Sequence, residues 1–400
     1  MLEKLKRVDP VIVVVLILLM SISIFSIYSV TVGRISPLKL DGFHLQMLKY
    51  DLLGFIAFFV LAFVDYKLFI RYGKYIYALG LGLLVLVIFI GKEQNGAQGW
   101  LKLGNLTLQP AELFKLVLIL FLASFLLRKQ GAVLTFWRGV IPIGLLTLIP
   151  FVLVLVQNDL GNALSYIVIM LGLVWIGNIK FRHALIGLLL IVVTGAGLAL
   201  SYIHYHDQAV HFLGETIGRK HLIARLDPWL VPDLATADAS YHTKNAKIAI
   251  ASGGMGGEGY MNGDSVQAGR VPYTYSDAIF VQIAEEFGFL GSAFVLLLFF
   301  ILIHRMIVIS LECRERSGTF LIIGVAAMLL YQILENIGAF IGLMPLTGIT
   351  LPFISYGGTS VLINMAAMGI VMSVHLHGGE AEPDFPVPSA GSANPRMLKV

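Results

Sequence analysis

Residues 11–28 read VIVVVLILLMSISIFSIY, a run without a single charged side chain. A helix of roughly 18 apolar residues crosses the hydrocarbon core of a bilayer, so this stretch decides the fold class. Lys4, Lys6 and Arg7 precede it, as the charged region of a signal peptide would. The apolar run is too long for a signal, however, and no small-residue cleavage site follows, so it reads as an uncleaved first span. Outward from it, comparable runs recur near 46–64, 75–91, 110–127, 139–156, 160–178, 184–203, 277–303, 318–343 and 357–376. The chain is therefore expected to be an all-α integral membrane protein of about ten transmembrane helices. Composition agrees: 58% of the 400 residues are hydrophobic and 13% charged, against about 25% charged in a soluble domain. So few charges cannot cover a water-exposed surface. Cys313 stands alone, which excludes an internal disulfide, and nothing in the sequence suggests nucleic acid as a partner.

Basic residues set the expected orientation. Lys4, Lys6, Arg7, Lys67, Arg71, Lys74, Arg128, Lys129, Arg138, Lys180, Arg182, Arg305, Arg314 and Arg316 fall on one side, whereas the short loops of the other hold Arg34, Lys39, Lys92 and Lys102. The N-terminus is expected to be cytoplasmic, and an even number of spans returns the C-terminus to the same side. Residues 1–376 form a single membrane domain on this reading, and 377–400, rich in Pro, Gly, Ala and Ser, a disordered cytoplasmic tail. The segment of about 204–276, between the seventh and eighth spans, far exceeds the usual connection of about 4–6 residues and is expected to be functional. Within it, FLGETIGRKHLIARL (212–226) sets Leu213, Ile217 and Leu222 against Arg219, Lys220 and Arg225, the pattern of a helix lying in the headgroup layer or of a solvated cover over the bundle.

Ionisable residues gather where the spans meet this outer side. Asp277, in VPYTYSDAIFVQIAEEFGFLG (271–291), falls at the entry to the eighth span. A carboxylate there can take a proton from a substrate hydroxyl, or cap the helix N-terminus, and the two roles are compatible. Glu285 and Glu286 follow about 12 Å deeper at 1.5 Å per residue, and Glu335 lies at similar depth beside Gln332 and Asn336. These three read as a structural polar network. Glu112 and Lys115 in QPAELFKLVLIL (109–120) share one helical face, as a self-neutralising pair or as a lysine facing an anionic substrate group. Asp159 in QNDLGNAL sits at the turn between the fifth and sixth spans, where a tight turn alone explains it. Gly254, Gly256 and Gly259 match G-x-G-x-x-G only formally; lying between spans, the cluster AIASGGMGGEG serves close backbone approach instead. His204, His206 and His211 have no cysteine partners, which argues against a zinc site.

Four stretches stand out, GAQGWLKLGNLTLQPAELFKL (96–116), QNDLGNAL (157–164), YHTKNAKIAIASGGMGGEG (241–259) continuing through 271–291, and GLMPLTGITLPFISYGGTSVLINMAAMG (342–369). Together they resemble the SEDS family (shape, elongation, division and sporulation) typified by RodA and FtsW. The resemblance implies a ten-span fold that polymerises lipid II into glycan strands at the outer face of the bacterial cytoplasmic membrane, with the overall pattern nearer RodA. It makes Asp277 the general base and places Lys115, Glu112, Trp100 and Asp159 at other motif positions that contact substrate. It also implies a class B penicillin-binding protein, a transpeptidase, as partner, together with membrane lipids. A divalent cation, magnesium or manganese, is expected near Asp277 through a substrate phosphate, with no protein metal ligands assigned and no organic cofactor. Two departures stand out: Gly99 where many members have Arg, and Pro272-Tyr273 where many have Pro-Glu. Arg219, Arg225 and Arg270 are candidates to supply the missing positive charge. A precursor flippase and a non-catalytic scaffold compete with this reading. A flippase predicts charges along a midplane route and often an internal repeat, and no clear repeat is visible.

Overall fold

A computed structural model describes residues 6–32, 42–94, 97–103, 106–129, 134–216 and 218–378. Arg34, Lys39, Ile217 and the expected tail beyond Gly378 lie outside the described residues. Among the described residues, eight helices are long and apolar enough to cross a membrane: α1 (Pro10–Val32), α2 (Phe43–Phe63), α3 (Tyr66–Ile90), α4 (Pro110–Arg128), α7 (Phe181–His204), α10 (Ile279–Glu312), α11 (Arg316–Ile341) and α12 (Gly358–His377). Two shorter apolar helices, α5 (Ile141–Val156) and α6 (Leu160–Ile176), complete the bundle. A π-helical turn at Phe136–Val140 leads into α5 and extends its reach.

The core lies where α4, α11 and α12 are surrounded by other helices. Small residues bring the backbones together there: a Cβ at Gly54 of α2 would touch Met365 and Val361 of α12, and one at Gly369 of α12 would meet the Phe58 carbonyl of α2. Apolar helices gain little from burial within lipid, so such close packing is what holds a bundle together. By contrast, α7 buries only Tyr202. A helix apolar on every side and touching almost nothing is suited to a lipid surround.

Three elements differ from the sequence expectation. The connection from α3 to α4 is a small antiparallel sheet, β1 (Lys92–Gln94), β2 (Ala97–Leu103) and β3 (Leu106–Leu108), in the order β1-β2-β3. Its strands alternate, with Leu101 buried and Lys102 exposed, the period of a half-buried strand rather than a loop. The amphipathic helix expected over 212–226 is broken: Phe212–Thr216 forms a π turn, Gly218 adopts φ 73°, and the helix α8 (Lys220–Leu230) begins only after it.

The third difference concerns α10, which breaks at Gly288 (φ 63°, ψ −157°). Residues 289–312 alone reach about 36 Å at 1.5 Å per residue, enough to span, so Ile279–Phe287 is a separate piece at the loop-bearing end. The glycine cluster that follows α9 (Ala237–Ser252) clamps the break from outside. Glu258 and Gly259 N–H groups donate to the Glu285 and Glu286 carbonyls (2.9 and 3.0 Å), while Phe289 and Leu290 N–H groups donate to Gly254 and Met255 (2.9 and 3.2 Å). The interrupted helix thereby keeps its backbone groups paired, as burial requires. Side chains at 253 or 257 would overlap the Ala284 and Glu286 carbonyl oxygens, which is why this approach takes glycine. Glu285 and Glu286 consequently do not sit 12 Å down a span. Glu285 accepts the Ser265 and Val266 N–H groups (2.8 and 2.9 Å), and Glu286 accepts the Ser29 hydroxyl (2.5 Å) within a turn of the α1 end at Val32.

Candidate active site

The segment 271–278 runs from the loop into α10 and carries Asp277. Its backbone is held from several sides. Asn336 Nδ2 of α11 donates to the Asp277 carbonyl and to Ile349 O, both at 2.7 Å. Ser355 Oγ donates to Ser276 O (2.7 Å), and the Tyr356 N–H to Tyr275 O (2.9 Å). Two sequence stretches far apart, 342–369 and 271–291, are thus one mechanical unit.

Asp277 does not cap the helix. Ala278, which has no polar side chain, occupies the cap position, and Asp277 lies one residue outside it. The carboxyl instead accepts the Ser276 hydroxyl on Oδ1 (2.7 Å), and Oδ2 faces Gly348, where a Cβ would come 3.5 Å from it. Burial among protein groups pushes the Asp277 carboxyl above its ordinary range. The Ser276 hydroxyl, the Asp277 N–H and the positive charge of Arg225 act against that rise without cancelling it. A carboxyl so placed is pre-organised, half-buried and a better proton acceptor than a solvated one.

Glu335 lies beside it. Its Oε1 accepts from Thr347, through both the N–H (3.3 Å) and the hydroxyl, while Oε2 is buried with no hydrogen-bond partner among the described residues. Thr347 and Ile349, gripped by Glu335 and Asn336, bracket the Gly348 that abuts Asp277. One turn back, Tyr331 donates to the Gly161 carbonyl (3.2 Å).

That contact leads to Asp159, which caps α6: the Asn162 N–H donates to Oδ1 (3.1 Å), and Asn162 Nδ2 and Gln109 Nε2 donate to Oδ2 (2.9 and 2.8 Å). Asp159 therefore serves both as the local cap of α6 and as the acceptor for Gln109 from the start of α4. Tyr166 then donates to Ala111 O (2.9 Å), next to Glu112. Glu112 and Lys115 form a buried ion pair at 2.7 Å. A seam of polar groups thus runs from the Glu112–Lys115 pair through Tyr166, Asp159 and Tyr331 to Glu335 and Asp277. Gln109, Tyr166, Tyr331 and Thr347 were not singled out from the sequence, whereas Asn336 was visible there as a polar residue deep in a span beside Glu335.

The remaining candidates scatter. Trp100 pairs with Lys92 across the small sheet, and a Cβ at the neighbouring Gly99 would lie 3.8 Å from Gln109 Nε2, beside the Asp159 partner. Arg219 is spent on structure, donating to Leu155 O (2.8 Å) and Asn158 Oδ1. Arg270 is exposed. Of the three arginines, Arg225 is the one whose charge reaches both Asp277 and Glu335. Tyr273, at φ 53°, is exposed and neighbours the His242 ring at 5.9 Å. Among the described residues no cluster of three or more His, Cys, Asp or Glu could hold a metal ion.

Fold and site together define a helical multi-pass membrane protein whose buried carboxyls converge at one end of the bundle, under a long loop. The family described as a cell cycle protein family, FtsW, RodA and SpoVE, matches residues 9–379. Stage V sporulation protein E of Bacillus subtilis is 30% identical over 92% of this chain and 96% of its own length. The peptidoglycan glycosyltransferase MrdB of Escherichia coli is 30% identical over 93% of this chain and 94% of its own. A solved chain from a study of polymerization and crosslinking by a peptidoglycan synthase complex superposes with TM-score 0.74 at 28% identity, covering 94% of this chain and 99% of that one. The chain belongs to the FtsW/RodA/SpoVE family.

Proposed function

We infer that the chain is a SEDS peptidoglycan glycosyltransferase of cell-wall synthesis. Similarity to a named glycosyltransferase along nearly the whole of both chains supports the activity. The observation that carries the mechanism is Asp277, a carboxyl raised above its ordinary range and fixed through its backbone rather than through its charge. In the proposed reaction an acceptor sugar hydroxyl of one lipid-linked disaccharide attacks the anomeric carbon of another. The new C–O bond forms as the bond to polyprenyl pyrophosphate breaks. The bonding pair leaves with the pyrophosphate, and the hydroxyl proton passes to Asp277. Arg225 stabilises the charge that develops on the leaving group. Lys115, Glu112 and Asp159 in the polar seam, and Trp100 on the neighbouring sheet, are assigned to substrate positioning on the family motifs.

A divalent cation, magnesium or manganese, fits the donor set only in part. Asp277 and the unpartnered Oε2 of Glu335 offer hard oxygen ligands, and such ions complete their shell from substrate phosphates and water. When bound, the ion would offset pyrophosphate charge. The loop-bearing end faces outward and both termini inward on the charge asymmetry of the loops, and the apolar grooves between helices hold the lipid tails. A class B penicillin-binding transpeptidase is the proposed partner; the superposed chain comes from a complex that couples polymerization to crosslinking. Placement nearer RodA within the family rests on the sequence pattern.

Polymerisation of purified lipid II by the purified chain, with and without divalent cation and partner, tests the reading. Glycan product is expected. A chain that relocates labelled lipid II across a vesicle membrane and makes no polymer is a flippase instead.

A further inference from the structure

Two clefts flank the contact between α8 and α9. One mixes charges, with Glu215 and Asp227 opposite Lys220. The other holds Arg225, Thr243 and Lys247 and no carboxyl group, against apolar walls that include Met344 and Leu346. Inside the cleft the two cations meet no carboxyl, although the charge of Arg225 also reaches Asp277 and Glu335 beyond its wall, and an anion between them lowers their mutual repulsion. Arg225 Nη1 is moreover buried with no hydrogen-bond partner among the described residues, a desolvated donor that a ligand oxygen would satisfy. Lys247 reaches over the end of α11, where a Cβ at Gly342 would come 2.5 Å from its Nζ. The negative end of that helix favours an ammonium there, which holds Lys247 at the cleft, whereas Arg225 Nη1 keeps an unused donor.

The cleft adjoins the base. Its wall residue Leu346 is followed by Thr347, which grips Glu335, and by Gly348, which abuts Asp277 Oδ2. Two residues of chain span at most about 7 Å. Ala246 and Ala278, the neighbours of Lys247 and Asp277, share one small apolar core with Val271, Val281 and Phe340. The two faces therefore keep a fixed spacing.

We propose that Arg225, Thr243 and Lys247 form a binding site for a pyrophosphoryl group carried on a lipid-linked substrate. The guanidinium fork takes two oxygens of one phosphate, the ammonium serves as a point charge on the other, and the Thr243 hydroxyl donates to either. Thr243 and Lys247 are thereby assigned a role that the sequence motifs did not suggest. The lipid carrier follows from the glycosyltransferase reading; the anion chemistry does not depend on it.

The test is anion-dependent thermal stabilisation of the purified full chain in detergent, each variant being compared with its own anion-free midpoint. Inorganic pyrophosphate is expected to stabilise the wild type more than orthophosphate does, and undecaprenyl pyrophosphate to act at lower concentration than either. Half-saturation by pyrophosphate should weaken at least ten-fold in Arg225→Gln and Lys247→Gln and be retained in Lys247→Arg, which also decides the matter if Arg225→Gln fails to fold. Equal half-saturation in wild type and Lys247→Gln overturns the site. So does stabilisation by phosphatidylglycerol that pyrophosphate cannot reproduce, since the anion is then a bilayer headgroup. A chain that binds pyrophosphate as expected yet makes no glycan refutes the polymerase reading and leaves the site standing.

Discussion

Asp277→Asn separates catalysis from folding, because the structure holds this residue by its backbone. Asn336 grips the Asp277 carbonyl and Ser355 the preceding one, and neither bond involves the carboxyl. The one side-chain bond, from Ser276 at 2.7 Å, survives because an amide oxygen also accepts. The structural cost should therefore stay within about 1 kcal/mol, the net worth of one hydrogen bond. The pH dependence has a definite sign. A carboxyl raised above its unfolded value stabilises the fold fully below the unfolded pKa, and that contribution is lost as pH rises through the folded pKa. Near neutrality the Asp277 charge is thus a liability that Asn removes, so the variant should equal or exceed the wild type in thermal midpoint there and converge with it in acid. Activity should behave oppositely. An amide takes no proton, and loss of a positioned general base costs about 10²–10⁴-fold, or roughly 3–5.5 kcal/mol of transition-state stabilisation. In the wild type, the rate should fall as pH drops through a value above the ordinary aspartate pKa of about 3.9. The assay is glycan formation from lipid II by purified protein across a pH series, paired with thermal unfolding. A folded Asp277→Asn that retains more than about a tenth of wild-type activity would refute the base assignment.

Three further outcomes are expected. Lys115→Met should strand the Glu112 carboxylate that lies 2.7 Å from the ammonium, at about 3–5 kcal/mol. The double change Glu112→Gln, Lys115→Met should recover stability by calorimetry but not activity, and recovery of both would make the pair purely structural. Gly257→Ala should be far worse than Gly254→Ala: both positions have positive φ, costing about 1–2 kcal/mol, but only at 257 does a Cβ strike the Glu286 carbonyl. Equal midpoints in thermal unfolding would mean that the glycine clamp is loose. Asn336→Ala should lower turnover several-fold by releasing the Asp277 and Ile349 carbonyls together, with a stability loss of about 1–3 kcal/mol. Turnover unchanged in steady-state kinetics would show that the strap needs no such anchor.

The spans were legible in the sequence because the bilayer imposes one requirement on every crossing helix, an unbroken apolar length. Runs such as 11–28 therefore announce themselves whatever they pack against, and the expected spans coincide with the ten apolar helices to within a turn or two at most ends. The largest discrepancies are α3, which starts at Tyr66 rather than 75, and α10, which runs on to Glu312. The motifs likewise marked Asp277, Lys115 and Glu112 as chemically unusual, since a charge at membrane depth is costly wherever it points. What hydropathy cannot register is partnership between distant segments. Gly288 looks like any helical glycine until the loop glycines at 253–259 pair with the backbone on either side of it, and that pairing places Glu285 and Glu286 at the loop-bearing end rather than inside a span. Only the tertiary structure could show that Asp277 caps nothing, that Arg219 is committed to Leu155 and Asn158 while Arg225 is left with an unpaired donor, and that Asn336 ties two motifs into one site. Each of these depends on which groups face each other across the bundle. Apolar length is a property of one segment; hydrogen bonds and ion pairs act over a few ångströms between segments that the chain separates by dozens of residues.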